Sequence, residues 1–240
     1  MSGATPRGAA NEQEAAAWVR EMFGRVAPRY DLLNHVLSFN IDRHWRNRTV
    51  KRLQPVLDRK DAKVLDLCCG TGDLMLALRA KANARVFGSD FCHPMLTGAM
   101  QKAGAGSPIF EADALNLPLP DKSLDAITIA FGFRNLVNYE TGLVELRRVL
   151  RPGGAAAILE FSQPPNPVFN ALYSFYSKNI LSKVGGMISG ASDAYTYLPD
   201  SVRKFPDAER LAEKMKSAGF TEVGFERMTF GIVALHVGVA

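Results

Sequence analysis

The stretch "ITIAFGFRN", Ile127 to Asn135, ends an apolar run with a guanidinium and an amide. Neither Arg134 nor Asn135 helps a buried strand to pack, so both are candidates for contact with a polar ligand atom. A second chemical signal lies upstream. "VLDLCCGTGD", residues 64 to 73, closes a short apolar run with Gly70 and Gly72 on either side of Thr71. A Gly-x-Gly turn between strand and helix lets backbone come close to a ligand. Met75 interrupts the full G-x-G-x-x-G pattern, and no Gly-Lys-Ser/Thr of a P-loop follows.

Acidic residues strengthen the glycine turn. Asp90 ends a second apolar run twenty residues after Gly70, where a carboxylate accepts both hydroxyls of a ribose. "EADAL" puts Asp113, with Ala114 beside it, at the end of a third run, in reach of an adenine amino group. Asp66, inside the first run, takes an ammonium or orients the loop. Each Asp alone also suits the start of a loop. The two strand-end acids together with the turn favour a nucleoside ligand.

These residues need a frame. The chain has 240 residues, 47% of them hydrophobic and 22% charged, as in a soluble globular protein. "AKVLDLCC", "ARVFGSD", "SPIFEAD", "SLDAITIAFG" and "GAAAILEFS" alternate with helical segments, and "YETGLVELRRVL" stops at "RPGG". That alternation predicts an α/β domain with a mostly parallel, doubly covered sheet. The last two strand-like runs, "FTEVGFERM" and "FGIVALHVGV", are so close that they form a hairpin, making the final strand antiparallel. The expected organisation is a disordered arm over 1–12 and a single domain over 13–240, with N-terminal helices over 13–58 and an insertion over 162–205 that caps the substrate.

Other totals narrow the class. No apolar run reaches the length of a membrane-spanning helix, and the start lacks an apolar signal core. Cys68, Cys69 and Cys92 have no zinc-type spacing, so no metal is expected and a reducing, cytoplasmic setting is. The net charge of +5 fits nucleic acid, anionic lipid or neither. The most basic stretch, "DRHWRNRTVKRL", reads as a solvated helix face or as a membrane-surface contact.

"LDLCCGTG", Asp90, "EADALNLPLPDKSLDAIT" and "RVLRPGG" in this order resemble the class I S-adenosylmethionine-dependent methyltransferases. The resemblance implies a Rossmann-like, seven-stranded sheet with an antiparallel last strand. It also implies S-adenosyl-L-methionine as cofactor, held by Asp66, Gly70, Thr71, Gly72, Asp90, Asp113, Ala114 and Ala130. In the quinone-ring C-methyltransferases, which the chain also resembles, the residue before "FGFRN" is often a serine touching the cofactor; here it is Ala130, so only its backbone is left to touch it.

"FGRVAPRYDLLNHVLSFNIDRHWR", "AFGFRNL" and "LEFSQP" further resemble the quinone-ring C-methyltransferases, from Met22 to the C-terminus. This implies methylation of demethylmenaquinol or, in the alternative, of the benzoquinol intermediate of ubiquinone biosynthesis. Arg134, Asn135 and Tyr30 are then the catalytic residues. Arg134 would stabilise a phenolate without taking its proton, Asn135 would bond the second ring oxygen, and Tyr30 would add a third polar contact. The structural alternative pairs Arg134 with Asp31 or Glu160. His35 and His44 are candidate proton acceptors that equally suit packing or surface roles, and Asn34 and Asp31 suit caps.

Phe169, Tyr173, Tyr176 and Met187 are expected to line a groove for an isoprenoid tail, or to form a core stripe. A lipophilic quinol implies peripheral docking to a membrane; a homodimer is admitted and nucleic acid is not expected. An amino-methylating nucleic-acid enzyme would carry Asn/Asp-Pro-Pro-aromatic where this chain has "AFGF". A cytosine C5 enzyme would need a Pro-Cys dipeptide that the chain lacks. A protein that binds the cofactor without catalysis is the remaining class, and "FGFRN" beside an intact cofactor site argues against it.

Overall fold

The protein is described from a computed structural model, which covers residues 3–6, 8–176, 179 and 192–240, without the side chains of 192–196. The Gly-rich stretch "VGGMISGAS" and Met187 lie outside the described residues, Ser192 of that stretch apart.

Helices α1 (Glu12–Val26), α2 (Tyr30–Leu37) and α3 (Ile41–Arg52) come first. Helix α1 starts at Asn11, whose side-chain oxygen accepts the Glu14 N–H at 2.9 Å, while the Glu14 carboxylate accepts the Ala10 N–H at 2.8 Å. This reciprocal cap satisfies two donors that a helix start leaves open. The segment 41–57 forms two helical pieces. It breaks at Leu53, and α4 (Gln54–Leu57) follows with Pro55 in its first turn, because proline supplies no N–H to continue α3. The arm expected over 1–12 is packed at its described start. Ala4 is buried, and its N–H donates to the Leu136 carbonyl at 2.8 Å.

The sheet alternates with helices in the expected order: β1 (Lys63–Leu67), α5 (Asp73–Arg79), β2 (Arg85–Asp90), α6 (His93–Ala103), β3 (Ile109–Glu111), β4 (Leu124–Ala130), α7 (Tyr139–Val149) and β5 (Leu150–Phe161). Then come α8 (Pro167–Tyr176), α9 (Ser192–Lys204), α10 (Ala208–Ser217), β6 (Thr221–Met228) and β7 (Val233–Val239). The seven strands lie in the order β3-β2-β1-β4-β5-β7-β6, and β7 is antiparallel to both β5 and β6. The sheet is therefore Rossmann-like with the antiparallel last strand foreseen from the hairpin.

Side chains on both faces of β1 and β4 are buried, as a doubly covered sheet requires. Leu65, Ile127 and Ile158 pack with α7 and α10 on one face, and Val64, Ala126 and Leu159 with α5 and Trp45 on the other. This packing fixes the carboxyl ends of β1, β2, β4 and β5 beside one another, where open α/β sheets bind ligands. The N-terminal helices and α8 stand over that edge.

Candidate active site

The turn after β1 is built for close approach. Gly70 has φ +56 and Gly72 φ +88, a backbone region that favours glycine. A Cβ on Gly70 would stand 3.7 Å from Tyr30 Cε1. Asp90, buried at the end of β2, holds the turn in place. Its Oδ2 accepts the Gly70 N–H and its Oδ1 the Cys92 N–H, each at 2.9 Å. Burial raises the Asp90 pKa, while these amide donors pull it back. Asp113 is exposed, and its Oδ1 accepts the Leu115 N–H at 2.9 Å, so it also shapes its own loop.

Three cavities meet at this edge. The first is lined by Gly70, Asp90, Asp113, Ala114, Ala130 and Asn135, among others. The second, of about 390 Å³, is mainly apolar and holds Arg134, Trp45, Phe161 and Tyr173 in its wall. Phe23, Tyr30 and Phe131 line both. The third is a small polar recess between Asp66, Arg46, Thr71 and Asp73 that shares Tyr30, Cys68, Gly70 and Ala130 with the first. Tyr30 thus faces all three.

The neighbours Arg134 and Asn135 part company. Both are buried on a 3-10 turn, Phe133–Asn135, yet Arg134 lines the second cavity and Asn135 the first. Of the two structural pairings weighed for Arg134, the structure shows the one with Glu160. Its Nη1 lies 3.1 Å from Oε1 and 3.1 Å from Oε2, and also donates to the Phe131 carbonyl. Burial disfavours the cation, but Glu160 outweighs it and the Arg134 pKa is raised. The buried Nε has no hydrogen-bond partner among the described residues. Asn135 donates to the Phe131 carbonyl at 3.4 Å and accepts the Tyr197 hydroxyl at 3.1 Å.

Burial raises the Tyr30 phenol above its ordinary value, so it serves as a neutral O–H donor. Burial also raises the Cys68 and Cys69 thiols well above theirs, which keeps them protonated and inert. Asp66 is 1% exposed. Its Oδ1 accepts the Thr128 hydroxyl at 2.7 Å, and its Oδ2 has no partner. Burial pushes its pKa up to about 7, against the pull of Thr128 and the Met75 amide.

Other expectations fare differently. Gly72 lines none of the three cavities; it turns the chain into α5, with Ala99 and Met75 close around it. Thr71 faces the polar recess, where its hydroxyl donates to Asp31, whose carboxylate also pairs with Lys102. Neither His35 nor His44 is among the described residues that line these three cavities. His35 Nδ1 is 2.8 Å from Asp42, and His44 is exposed. Phe169, Tyr173 and Tyr176 do line the second cavity.

Sequence reasoning missed three residues. Phe131 has φ +59, a strained conformation for a phenylalanine, and its ring is the wall between the first two cavities. Tyr197 anchors Asn135. Arg46 belongs to the basic stretch read as a surface, yet it is buried against Asp42. The spacing of Asp42 and Arg46, four apart on one helix, was a visible signal of that pair.

A profile of the ubiE/COQ5 methyltransferase family matches residues 9–240. The chain belongs to that family. It is a methyltransferase, as the motif order led one to expect. A demethylmenaquinone methyltransferase of Thermus thermophilus is 50% identical over 221 residues, covering 90% of this chain and 99% of its own. One of Deinococcus radiodurans is 45% identical, covering 95% of each chain. The ubiquinone/menaquinone biosynthesis C-methyltransferase UbiE of Geobacter sulfurreducens is 41% identical, covering 92% and 87%. Among solved structures, phosphoethanolamine N-methyltransferase 2 of Haemonchus contortus, in complex with S-adenosyl-L-methionine, aligns with TM-score 0.59 at 14% identity, over 80% of this chain and 51% of its own. That likeness shows the shared fold.

The methyltransferase's first cavity and recess fit S-adenosyl-L-methionine. Gly70 leaves room for a close approach, Asp90 lines the first cavity at the end of β2, and Asp66 Oδ2 has no partner among the described residues.

Proposed function

We propose that the methyltransferase methylates a ring carbon of a prenylated hydroquinone, demethylmenaquinol first. One observation carries this reading: a cavity lined by the strand-end acids Asp90 and Asp113 shares the wall Phe23, Tyr30 and Phe131 with an apolar cavity of about 390 Å³. S-adenosyl-L-methionine supplies an electrophilic methyl group when bound. Asp90, Asp113, Ala114 and the backbone at Ala130 hold its nucleoside. Tyr30 and Phe131 position the quinol ring so that the reacting carbon faces the methyl.

Arg134 serves as hydrogen-bond donor to a ring oxygen. Its charge is shared with Glu160, so it acts as part of a buried dipole and not as a lone cation. The free Nε–H is the donor with no internal duty, and a quinol oxygen would satisfy it. The Tyr30 O–H is the second donor to that oxygen. Asn135, on the cofactor side, fixes the Phe131 carbonyl and ring between donor and acceptor. The phenolic proton leaves to water, the ring carbon would take the methyl as its bond to the sulfonium sulfur breaks and S-adenosylhomocysteine is left, and loss of the ring-carbon proton with return of one proton to the oxygen restores the aromatic quinol.

A tail-bearing quinol partitions into lipid, and a peripheral membrane contact follows. No helix among the described residues is long and apolar enough to cross a membrane. The basic helix α3 is a poor docking face, because Arg46 turns inward and Arg48 pairs with Glu226 at 2.9 Å. The apolar cavity instead opens beside Phe39, Leu172 and Phe230, which are 75%, 63% and 79% exposed. Serine at Phe39 and Phe230 should lower flotation with anionic liposomes more than Lys51→Glu/Arg52→Glu does; the reverse order would return the contact to α3.

Methyl-labelled cofactor with reduced demethylmenaquinone and with the demethylated benzoquinol tests the substrate. Label in the naphthoquinol above the benzoquinol supports the first choice. Label in the benzoquinol alone would replace it, and label in neither would remove the reading.

A further inference from the structure

A quinol carries two oxygens on opposite sides of its ring. Arg134 and Tyr30 would serve the one beside the reacting carbon. Asn135, expected to bond the other, lines the first cavity and is not among the described residues that line the second, the acceptor cavity. An oxygen moved from water into that mainly apolar space costs affinity unless a polar group there replaces the water.

Most polar side chains in the acceptor wall are already engaged. Ser38 donates to Asp42 at 2.7 Å, and Asp42 also holds Arg46. Thr229 accepts the Trp45 indole N–H at 2.8 Å, and Asn34 hydrogen-bonds Tyr30. Tyr176 donates to the Leu37 carbonyl at 3.2 Å, and Tyr197 donates to Asn135 at 3.1 Å. Tyr173 differs. It belongs to the same wall, and no described residue hydrogen-bonds its hydroxyl. Burial pushes its pKa up to about 12 against the pull of the Arg134 cation, so the hydroxyl stays neutral.

Tyr173 stands on α8, which follows β5, and Arg134 on the turn after β4. Two separate elements thus bring two polar groups to one cavity, within range of each other's charge and not bonded to each other. The same cavity is walled by packed rings that suit a flat acceptor. Phe161 lies 4.9 Å from Phe131 and 6.4 Å from Trp45 between centroids, and the Arg134 guanidinium sits over Phe161, 5.3 Å from its centroid.

We infer that the Tyr173 hydroxyl holds the second ring oxygen, the one across the ring from the oxygen at Arg134. This rests on the quinol reading above. It moves to α8 a contact expected of Asn135, and it gives Tyr173 a polar task where an apolar groove was expected. A neutral phenol donates to that oxygen or accepts from its hydroxyl. The second oxygen is meta to the reacting carbon and feeds little charge to it, so Tyr173 acts by orienting the ring.

A substrate that lacks only this oxygen tests the assignment. Demethylmenaquinol, kept reduced, is compared with the prenylated naphthol that retains the hydroxyl beside the reacting carbon. The unaltered protein should methylate the quinol with kcat/KM about 10- to 100-fold above the naphthol, the range of one lost hydrogen bond in a buried site. Tyr173→Phe should lower kcat/KM for the quinol by a similar factor and for the naphthol by no more than about twofold, so that the preference collapses. Affinity for S-adenosylhomocysteine should stay within about twofold. Tyr176→Phe, one turn along the helix with its hydroxyl on Leu37, should change both substrates alike. An equal loss on both substrates in Tyr173→Phe, or a preference that survives the substitution, would overturn the assignment and leave Tyr173 a packing residue. If the unaltered protein methylated neither ring, the quinol reading itself would fall and the inference with it.

Discussion

Arg134 and Glu160 form a buried ion pair in which one guanidinium nitrogen stands 3.1 Å from each carboxylate oxygen. Glu160 is the penultimate residue of β5 and Arg134 follows β4, so the pair bridges two neighbouring strand ends at the ligand edge. The sequence reading asked Arg134 to stabilise a phenolate and set a structural pairing with Asp31 or Glu160 beside that role. The structure makes it half of a pair, and Arg134 lines the acceptor cavity.

That pairing changes what Arg134→Ala should do. Deleting one partner leaves Glu160 buried without its cation, which costs on the order of 3–5 kcal/mol. Thermal denaturation should show a marked loss for Arg134→Ala and recovery of much of it in Arg134→Ala/Glu160→Gln. Turnover should stay down by about 100-fold or more in both, because the donor to the quinol is gone. A double variant with restored turnover would leave Arg134 only a structural role.

Tyr30 faces donor, acceptor and recess, and its phenol remains neutral. Tyr30→Phe removes one hydroxyl and preserves the ring that walls both cavities. Turnover should fall by about 10- to 100-fold, while affinity for S-adenosylhomocysteine stays within a few-fold. A variant that loses nucleoside binding and keeps kcat would move Tyr30 from the quinol to the cofactor.

Asp90 secures the Gly70 and Cys92 amides in addition to lining the nucleoside cavity. Asp90→Ala should therefore weaken S-adenosylhomocysteine by about 10-fold or more and also lower the melting temperature, each lost charged hydrogen bond contributing about 1.5–3 kcal/mol. Binding at the unaltered affinity would remove Asp90 from the site.

Asp66 gives a pH signature. Its carboxyl titrates at about 7 in the free protein, with Thr128, Arg46 and Asp90 as its facing neighbours. An ammonium beside it favours the ionised form and lowers that value. Binding of S-adenosylhomocysteine near pH 6.5 should thus release a proton, and affinity should rise as the pH passes through 7. Calorimetry in buffers of different ionisation enthalpy measures the release. Proton uptake, or equal release by Asp66→Asn, would contradict it.

The strand–helix alternation, the antiparallel last strand and the acids at strand ends were legible because each rests on local pattern. Asp90 and Gly70 meet because parallel strands bring their carboxyl ends together. The divergence of Arg134 and Asn135 was not legible. They are consecutive residues on the 3-10 turn Phe133–Asn135, where neighbouring side chains point about 120° apart, and the sequence does not announce that turn. Arg46 was hidden among neighbouring cations, Arg43, Lys51 and Arg52, that are exposed as a solvated face requires. Gly72 turns the chain into α5 with φ +88, a geometry that the Gly-x-Gly spacing announces without saying which glycine lines a cavity.

The position of the transferred label tests the central claim most directly. The protein, methyl-labelled S-adenosyl-L-methionine and demethylmenaquinol kept reduced are incubated together, and the product is resolved by mass spectrometry and NMR. The account predicts one labelled methyl on a ring carbon, formed from the quinol and not from the oxidised quinone. Label on a ring oxygen, or equal transfer to the quinone, would contradict it.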